Sequence, residues 1–235
     1  MPMWRGDLHI HTALSPCAEE EMLPPLLVER SQVLGLTLLG VLDHNSAENA
    51  QSMMEAARGS GITIKPGLEV ETKETVHLVC LFDTVAQALD LQELVYANLP
   101  SLPHSGAQTF GSQTLVTGEG MLIGYEHRPL YAATTLSLDR VVWEVRAREG
   151  LVMAAHVERP AHGLLGVLGF PPADLEVDAL EAGPGELGEG RVAASDAHRL
   201  TEIGCRYTVF EVEEATIAAL RDCLKHRHYR TGMAL

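Results

Sequence analysis

Asp7-Leu8-His9-Ile10-His11-Thr12 near the start of the chain is answered by Leu36-Thr37-Leu38-Leu39-Gly40-Val41-Leu42-Asp43-His44. Each is an apolar run that finishes on imidazole and carboxylate side chains. The second run is too short, and too β-branched at its end, for a helix, so both read as buried strands. His9 and His11 stand two apart and therefore point to the same side of their strand. Between the strands a helix opens near Pro24-Pro25 and runs through Leu26, Leu27 and Val28 to Leu34, where Gly35 supplies the C-cap. Ser46 reads as the cap of the next helix, which runs to Arg58 and stops at Gly59 and Gly61.

The alternation continues along the chain. Apolar runs at Ile62–Ile64, Val76–Phe82, Leu151–Ala155, Val177–Leu180, Val192–Ala194 and Tyr207–Val212 are interleaved with helical patterns over 84–97, 137–149 and 214–226. Near-continuous apolar strands separated by helices predict a mostly parallel sheet buried on both faces. Seven or eight such strands in 235 residues suit a small β/α barrel better than an open sheet. Residues 98–136 break the rhythm, and Thr114 to Tyr125, around Gly118-Glu119-Gly120, reads as a hairpin within an insertion. A loop of that size is expected to be a lid or inserted subdomain. Residues 1–235 otherwise read as one domain.

Composition excludes several classes. With 46% hydrophobic and 21% charged residues the chain is too apolar for disorder. No uncharged stretch is long enough to cross a membrane. The start, Met1 to Asp7, lacks the basic-then-apolar pattern of a signal peptide, so a cytoplasmic location is expected. Cys17, Cys80, Cys205 and Cys223 form no Cys-x-x-Cys pair, which argues against a zinc ribbon or disulfide framework, and Cys80 reads as a core residue. Acidic residues outnumber basic ones 32 to 17, a net charge of −15. Such a surface repels long polyanions, so stable binding of duplex nucleic acid is not expected.

Eleven histidines are present, and their positions matter more than their number. His9 and His11 end the first strand, Asp43-His44 the second, and Glu69 follows the third. His77 lies on the next run, His156 ends the Leu151 strand, and Asp196 and His198 follow the Val192 strand. In a β/α barrel the C-terminal strand ends converge on one face, so these distant residues are expected to meet. Imidazole with carboxylate suits Zn, Mn or Fe better than Ca or Mg. So many donors exceed one tetrahedral ion, which predicts two or three ions with a bridging carboxylate such as Glu69. Asp43 reads as a partner that orients ligands. His104, His127, His226 and His228 read as surface residues.

Asp7-Leu8-His9-Ile10-His11-Thr12, Leu42-Asp43-His44-Asn45, Gly67-Leu68-Glu69, Val76-His77-Leu78, Ala155-His156 and Ser195-Asp196-Ala197-His198, in this order, resemble the PHP (polymerase and histidinol phosphatase) family. The resemblance implies a distorted (β/α)7 barrel and a trinuclear centre that hydrolyses phosphate esters. The implied ligands are His9, His11, His44, Glu69, His77, His156, Asp196 and His198. In place of the Asp that the family commonly carries after His-Thr-x-x-Ser, this chain has Pro16 and Cys17 after Ser15, then Glu19-Glu20-Glu21. Glu21, nearest the helix start, is favoured as the replacement, with Glu19 the alternative.

On this reading a metal-activated hydroxide attacks phosphorus. Asp196 orients it or takes its proton, and His198 or His162 protonates the leaving oxygen. Arg159 and Arg199 follow His156 and His198 at the barrel mouth and are expected to grip phosphate. The expected substrate is a small phosphorylated molecule: a phosphomonoester, nucleotide or short oligonucleotide. The competing reading is a metal-binding accessory protein with a weakened hydrolytic centre. A lysine-bridged C–N hydrolase is disfavoured because Lys65, Lys73 and Lys225 do not sit at strand ends among the histidines.

Overall fold

Strands and helices alternate as the hydrophobic pattern requires. A computed structural model describes residues 2–101, 111–183 and 190–233. The first half runs β1 (Met3–Ile10), α1 (Pro24–Val33), β2 (Leu38–His44), α2 (Ala50–Ala56), β3 (Thr63–Glu71), β4 (His77–Leu81) and α3 (Val85–Ala97). The second half runs β5 (Thr114–Val116), β6 (Leu122–Tyr125), α4 (Leu138–Ala147), β7 (Leu151–Ala154), α5 (Leu164–Leu168), β8 (Ala179–Leu180), β9 (Arg206–Glu211), α6 (Ile217–Lys225) and β10 (Tyr229–Met233). Thr84 and Gln87 close a capping box on α3, and Ser137 and Thr216 cap α4 and α6. Among the described residues no helix is long and apolar enough to cross a membrane.

One curled sheet carries the strands in the order β10-β9-β1-β2-β3-β4-β7-β8. The fold class is α/β. β1, β2 and β3 are mutually parallel, as are β7 and β8. Residues 192–197 then tie the two sides of the curl together. Val192 N–H donates to Leu180 O at 3.0 Å, and Ala197 N–H donates to His9 O at 3.2 Å.

The pattern departs from a regular β/α repeat at β4. No helix separates it from β3; the chain turns back through Thr72–Val76, with Thr75 at φ +62°, and β4 runs antiparallel to both β3 and β7. Reversal puts the beginning of β4 beside the end of β3, so His77 pairs with Glu71. His77 therefore reaches the same sheet end as the C-terminal residues of the parallel strands.

The inner face of the curl is filled by Leu8, Leu42, Val79, Leu81, Leu151 and Met153, plugged from one end by Ile217 and Leu220 of α6. Ile10, Leu39 and Val41 pack outward on Leu27 and Val28 of α1. Leu8 and Ile10, two apart, thus face opposite ways. A register irregularity between Asp7 and Ile10 absorbs the extra residue, and both His9 and His11 come to lie beside inward-facing Glu69.

Two sequence expectations shift. The helix expected from Ser46 begins at Ala50, with Asn49 in the N-cap position but making no side-chain capping bond, and the Ser46 hydroxyl is held by Tyr96 at 2.7 Å and Gln92 at 3.3 Å. Residues Val192–Ala194 form a bridge rather than a strand of their own. The hairpin expected within 114–125 is present as β5–β6; residues 102–110 of that region, with His104, lie outside the described residues.

Gly40 lies where β2 passes closest to β1, and a Cβ there would run into the Leu8 carbonyl. Gly40→Ala is therefore expected to cost about 1–3 kcal/mol through backbone displacement. Gly124→Ala on β6, where a Cβ meets nothing within 4 Å, should stay within about 0.5 kcal/mol of wild type. Urea unfolding midpoints of the two variants check the difference.

Candidate metal centre

The strand-end residues meet, and three of the imidazoles, His9, His11 and His198, are oriented by a second group. His9 is fully buried; its Nδ1 lies 2.8 Å from Glu181 Oε2, and the carboxylate fixes the proton on Nδ1. His11 Nδ1 lies 2.9 Å from Ser15 Oγ, whose hydroxyl donates to Asp43 Oδ1 at 2.6 Å, so His11 is also protonated on Nδ1. Asp43 is fixed further by the Thr12 N–H and hydroxyl, each at 2.8 Å. His198 Nδ1 donates to the Asp196 carbonyl at 2.9 Å. In the neutral form of all three rings Nε2 is left as the acceptor.

Those acceptors converge. His9 Nε2 and His11 Nε2 approach to 3.1 Å, and Asp196 Oδ1 is 3.2 Å from both. Two nitrogen lone pairs and a carboxylate oxygen so arranged repel one another unless a proton or a metal cation sits among them. Glu69, also buried, is the hub: its Oε1 lies 2.8 Å from His77 Nδ1 and 3.4 Å from His156 Nε2, while its Oε2 lies 2.9 Å from His44 Nδ1. Neither ring nitrogen of buried His156 meets a hydrogen-bond partner. An unsatisfied buried acceptor costs about 1–3 kcal/mol, and this donor set of imidazole and carboxylate fits a divalent transition metal. Groups able to hold an ion are His9/His11/Asp196, His44/Glu69/His77, His11/His44/His198 and Glu71/His77/His162.

Backbone strain accompanies the convergence: His156, His162 and Asp196 all have positive φ, at 27°, 65° and 53°. A cavity of about 720 Å³ opens over the cluster, with Cys17, His44, His77, Arg159 and His198 in its wall.

Charge follows the geometry. Burial alone would push the Glu69 carboxyl up, but His77, His9 and His44 hold it well below the usual carboxylate range. Asp196 is likewise lowered against its burial, chiefly by His9 and His11. Burial disfavours charge on His9, yet Glu181, Asp196 and Glu69 raise it well above the ordinary imidazole value. His44 is raised in the same way by Glu69, and His77 by Glu69. His11 goes the other way, lowered by burial and then by His198.

The remaining sequence candidates are scattered. Arg159 Nη1 contacts Asp196 Oδ2 at 3.1 Å. Arg199 stands in the wall of the same cavity and pairs with Glu19 at 3.2 Å. His162 stacks on His77 with ring centroids 4.4 Å apart. His127, His226 and His228 are exposed and Cys80 is core. Glu21 is exposed and is not brought to the cluster. Cys17 reaches the cluster instead, its Sγ 3.1 Å from His44 Nε2. Burial raises that thiol, but contacts with His198 and His44 outweigh it and bring it down to about 6. Sequence reasoning missed Cys17, and it missed Glu181, which obeys the same strand-end rule one residue past Leu180.

An α/β sheet whose strand ends gather six histidines around buried carboxylates defines a metal-centre class of protein. The PHP domain profile matches residues 7–143, and a PHP-associated profile matches 186–229. The chain belongs to the PHP domain family. Among solved structures it is similar to the lesion-specific endonuclease PfuEndoQ from Pyrococcus furiosus (20% identity, 96% of this chain and 56% of that one, TM-score 0.72). It is also similar to Endonuclease Q in complex with a 27-mer duplex carrying an abasic lesion at the active site (21%, 96% and 57%, 0.73). A third is a structure assigned as a metal-dependent phosphoesterase from Bifidobacterium adolescentis (21%, 82% and 87%, 0.52). The chain thus spans just over half the length of the two endonuclease chains. No curated protein matches the sequence.

One expectation is overturned here. Net acidity gives the expectation of no stable duplex nucleic-acid binding, yet Endonuclease Q, on the same fold, holds duplex DNA at its active site. Net charge averages over the whole surface, whereas a bound polyanion responds to the local field of arginines and cations at one mouth.

The raised histidines set a pH dependence. Their contribution to folding is complete below the ordinary imidazole value near 6.5 and is lost as pH rises through their raised folded values. Chelator-treated protein is therefore expected to melt at lower temperature as pH rises above about 6.5. Zn affinity should rise over the same range, because binding displaces those protons. Melting curves with chelator, and calorimetry of Zn binding in two buffers of different ionisation heat, check both signs. A chelated protein insensitive to pH contradicts the reading.

Proposed function

We propose that this chain is a metal-dependent hydrolase of phosphate esters. It would hold two or three Zn, Mn or Fe ions on His9, His11, His44, Glu69, His77, His156, Asp196 and His198. The observation that carries the reading is the meeting of His9 Nε2, His11 Nε2 and Asp196 Oδ1 beside the buried Glu69 hub. We also read residues 192–197 as the stave completing a distorted (β/α)7 barrel, in a single domain with an insertion at 98–136.

Bound ions would supply a hydroxide nucleophile at neutral pH and neutralise charge on the phosphoryl oxygens. The side chains do the rest. Glu181 and the Ser15–Asp43 pair keep His9 and His11 in the tautomer that presents Nε2. Asp196, with Oδ1 at the cluster and Oδ2 toward Arg159, orients the attacking water and receives its proton. Arg159 at the cavity mouth exchanges Asp196 for a phosphoryl oxygen. His162, in the cavity wall and stacked on His77, is placed to protonate the leaving oxygen. Lys65 is engaged with Asp83 at 2.6 Å, and no lysine lines the cavity, which disfavours a lysine-bridged C–N hydrolase.

The cavity mouth accommodates both terminal and internal phosphates on this reading, and the likeness in fold to Endonuclease Q brings nucleic-acid phosphodiesters into the candidate class. The assay is a panel of phosphomonoesters, nucleotides, short oligonucleotides, amides and a duplex with an abasic site, each with added Mn or Zn. Cleavage of a phosphate ester is expected. Amide cleavage alone would overturn the reading, and a metal-loaded protein that turns over nothing would leave the accessory role.

Arg159→Ala should lower kcat/KM by roughly tenfold to a hundredfold, as loss of one charge-assisted contact does, with metal content unchanged. Arg199→Ala, in the same cavity wall but paired with Glu19, should also lower kcat/KM, by less than Arg159→Ala, with metal content unchanged.

A further inference from the structure

The loop after β1 carries a donor that the family pattern does not supply. Ser15-Pro16-Cys17-Ala18 forms a turn closed by Ala18 N–H to Ser15 O at 3.0 Å, and it is anchored by Glu19 N–H to His198 O at 2.9 Å. Those two bonds hold Cys17 over His44 and His198 at the cavity wall. His44 Nδ1 faces Glu69 at 2.9 Å, so Nε2 is its outward nitrogen, and Cys17 Sγ lies 3.1 Å from it. His198 spends Nδ1 on the Asp196 carbonyl, so its Nε2 is the one left. His11 belongs to the same group of closely spaced ligand atoms, but its Nε2 faces His9 at 3.1 Å.

None of the neighbouring glutamates competes. Glu19 pairs with Arg199, and of the residues 17 to 21 the cavity wall includes Cys17 but none of Glu19, Glu20 and Glu21. Cys17 Sγ therefore meets His44 and His198 at a corner of the cluster that shares His44 with the Glu69 hub.

We infer that Cys17 is a metal ligand, completing with His44 Nε2 and His198 Nε2 a position that favours Zn(II) or Fe(II) over Mn(II). The inference deepens the proposed function and rests on its reading of the cluster as a metal centre. On binding, the S–H bond gives up its proton to solvent and a sulfur–metal bond replaces it. Thiolate donors select softer ions, whereas carboxylate in the same place favours Mn. Three protein donors leave a coordination place open, the arrangement of catalytic rather than structural sites.

The test is the absorption spectrum of the full chain reconstituted with Co(II). A thiolate-to-cobalt charge-transfer band in the near ultraviolet is expected in wild type and in Cys205→Ser, and it should vanish in Cys17→Ser and Cys17→Asp. Competition for the site should show the Zn-over-Mn preference of Cys17→Asp reduced by about tenfold or more. In wild type, Zn should also slow alkylation of Cys17 by iodoacetamide, read by peptide mass. A fully cobalt-loaded protein without the band, or a band that survives Cys17→Ser, overturns the assignment. Phosphate release is scored separately. A missing band with active phosphate release removes only Cys17, whereas a band without any hydrolysis removes the hydrolase reading and leaves the ligand.

Discussion

Glu69 is 1% exposed, yet it sits where a carboxylate charge has no water to answer it. An ionised carboxylate taken out of water costs several kcal/mol unless compensated. Around it the fold gathers His9, His44, His77 and His156, each with a ring nitrogen within 3.4 Å of a Glu69 oxygen. Those rings in turn are buried and need acceptors of their own, which Glu181 provides for His9 and the Ser15–Asp43 pair for His11. Positive charge at the centre satisfies every member at once. Without it, the bare Nε2 atoms of His9 and His11 oppose each other and His156 has no partner.

Two backbone irregularities make that gathering possible. The irregular register between Asp7 and Ile10 lets Leu8 fill the inner core while His9 and His11 also reach the centre. The reversal at Thr75 turns β4 around, so His77, the first residue of its strand, meets the last residue of β3. A regular parallel repeat would have sent His77 to the opposite end of the sheet. The bridge of residues 192–197 onto both β1 and β8 then sets Asp196 and His198 over the same point.

The strand-end rule made much of the site readable in the sequence. His9, His11, His44, Glu69, His156 and Asp196 follow apolar runs, and parallel geometry brings such positions together. Glu181 obeys the rule too, but β8 is only two residues long and its run is easily ended one residue early. His77 was readable as a candidate, while its route to the site depends on a positive φ at Thr75, a residue that does not advertise one. Cys17 and Glu21 could not be ranked locally, because the loop is placed by a bond from Glu19 to His198, far away in sequence. Overall acidity is no guide to duplex DNA for a related reason: a sum over the chain carries no information about one mouth.

The central claim is that this cluster is built around cations, and the metal-to-protein ratio tests it most directly. Elemental analysis of protein purified without chelator should find about two to three transition-metal ions per chain, falling in Glu69→Gln, since its carboxylate is the shared hub. A folded protein that contains none and takes up neither Zn nor Mn would contradict the account.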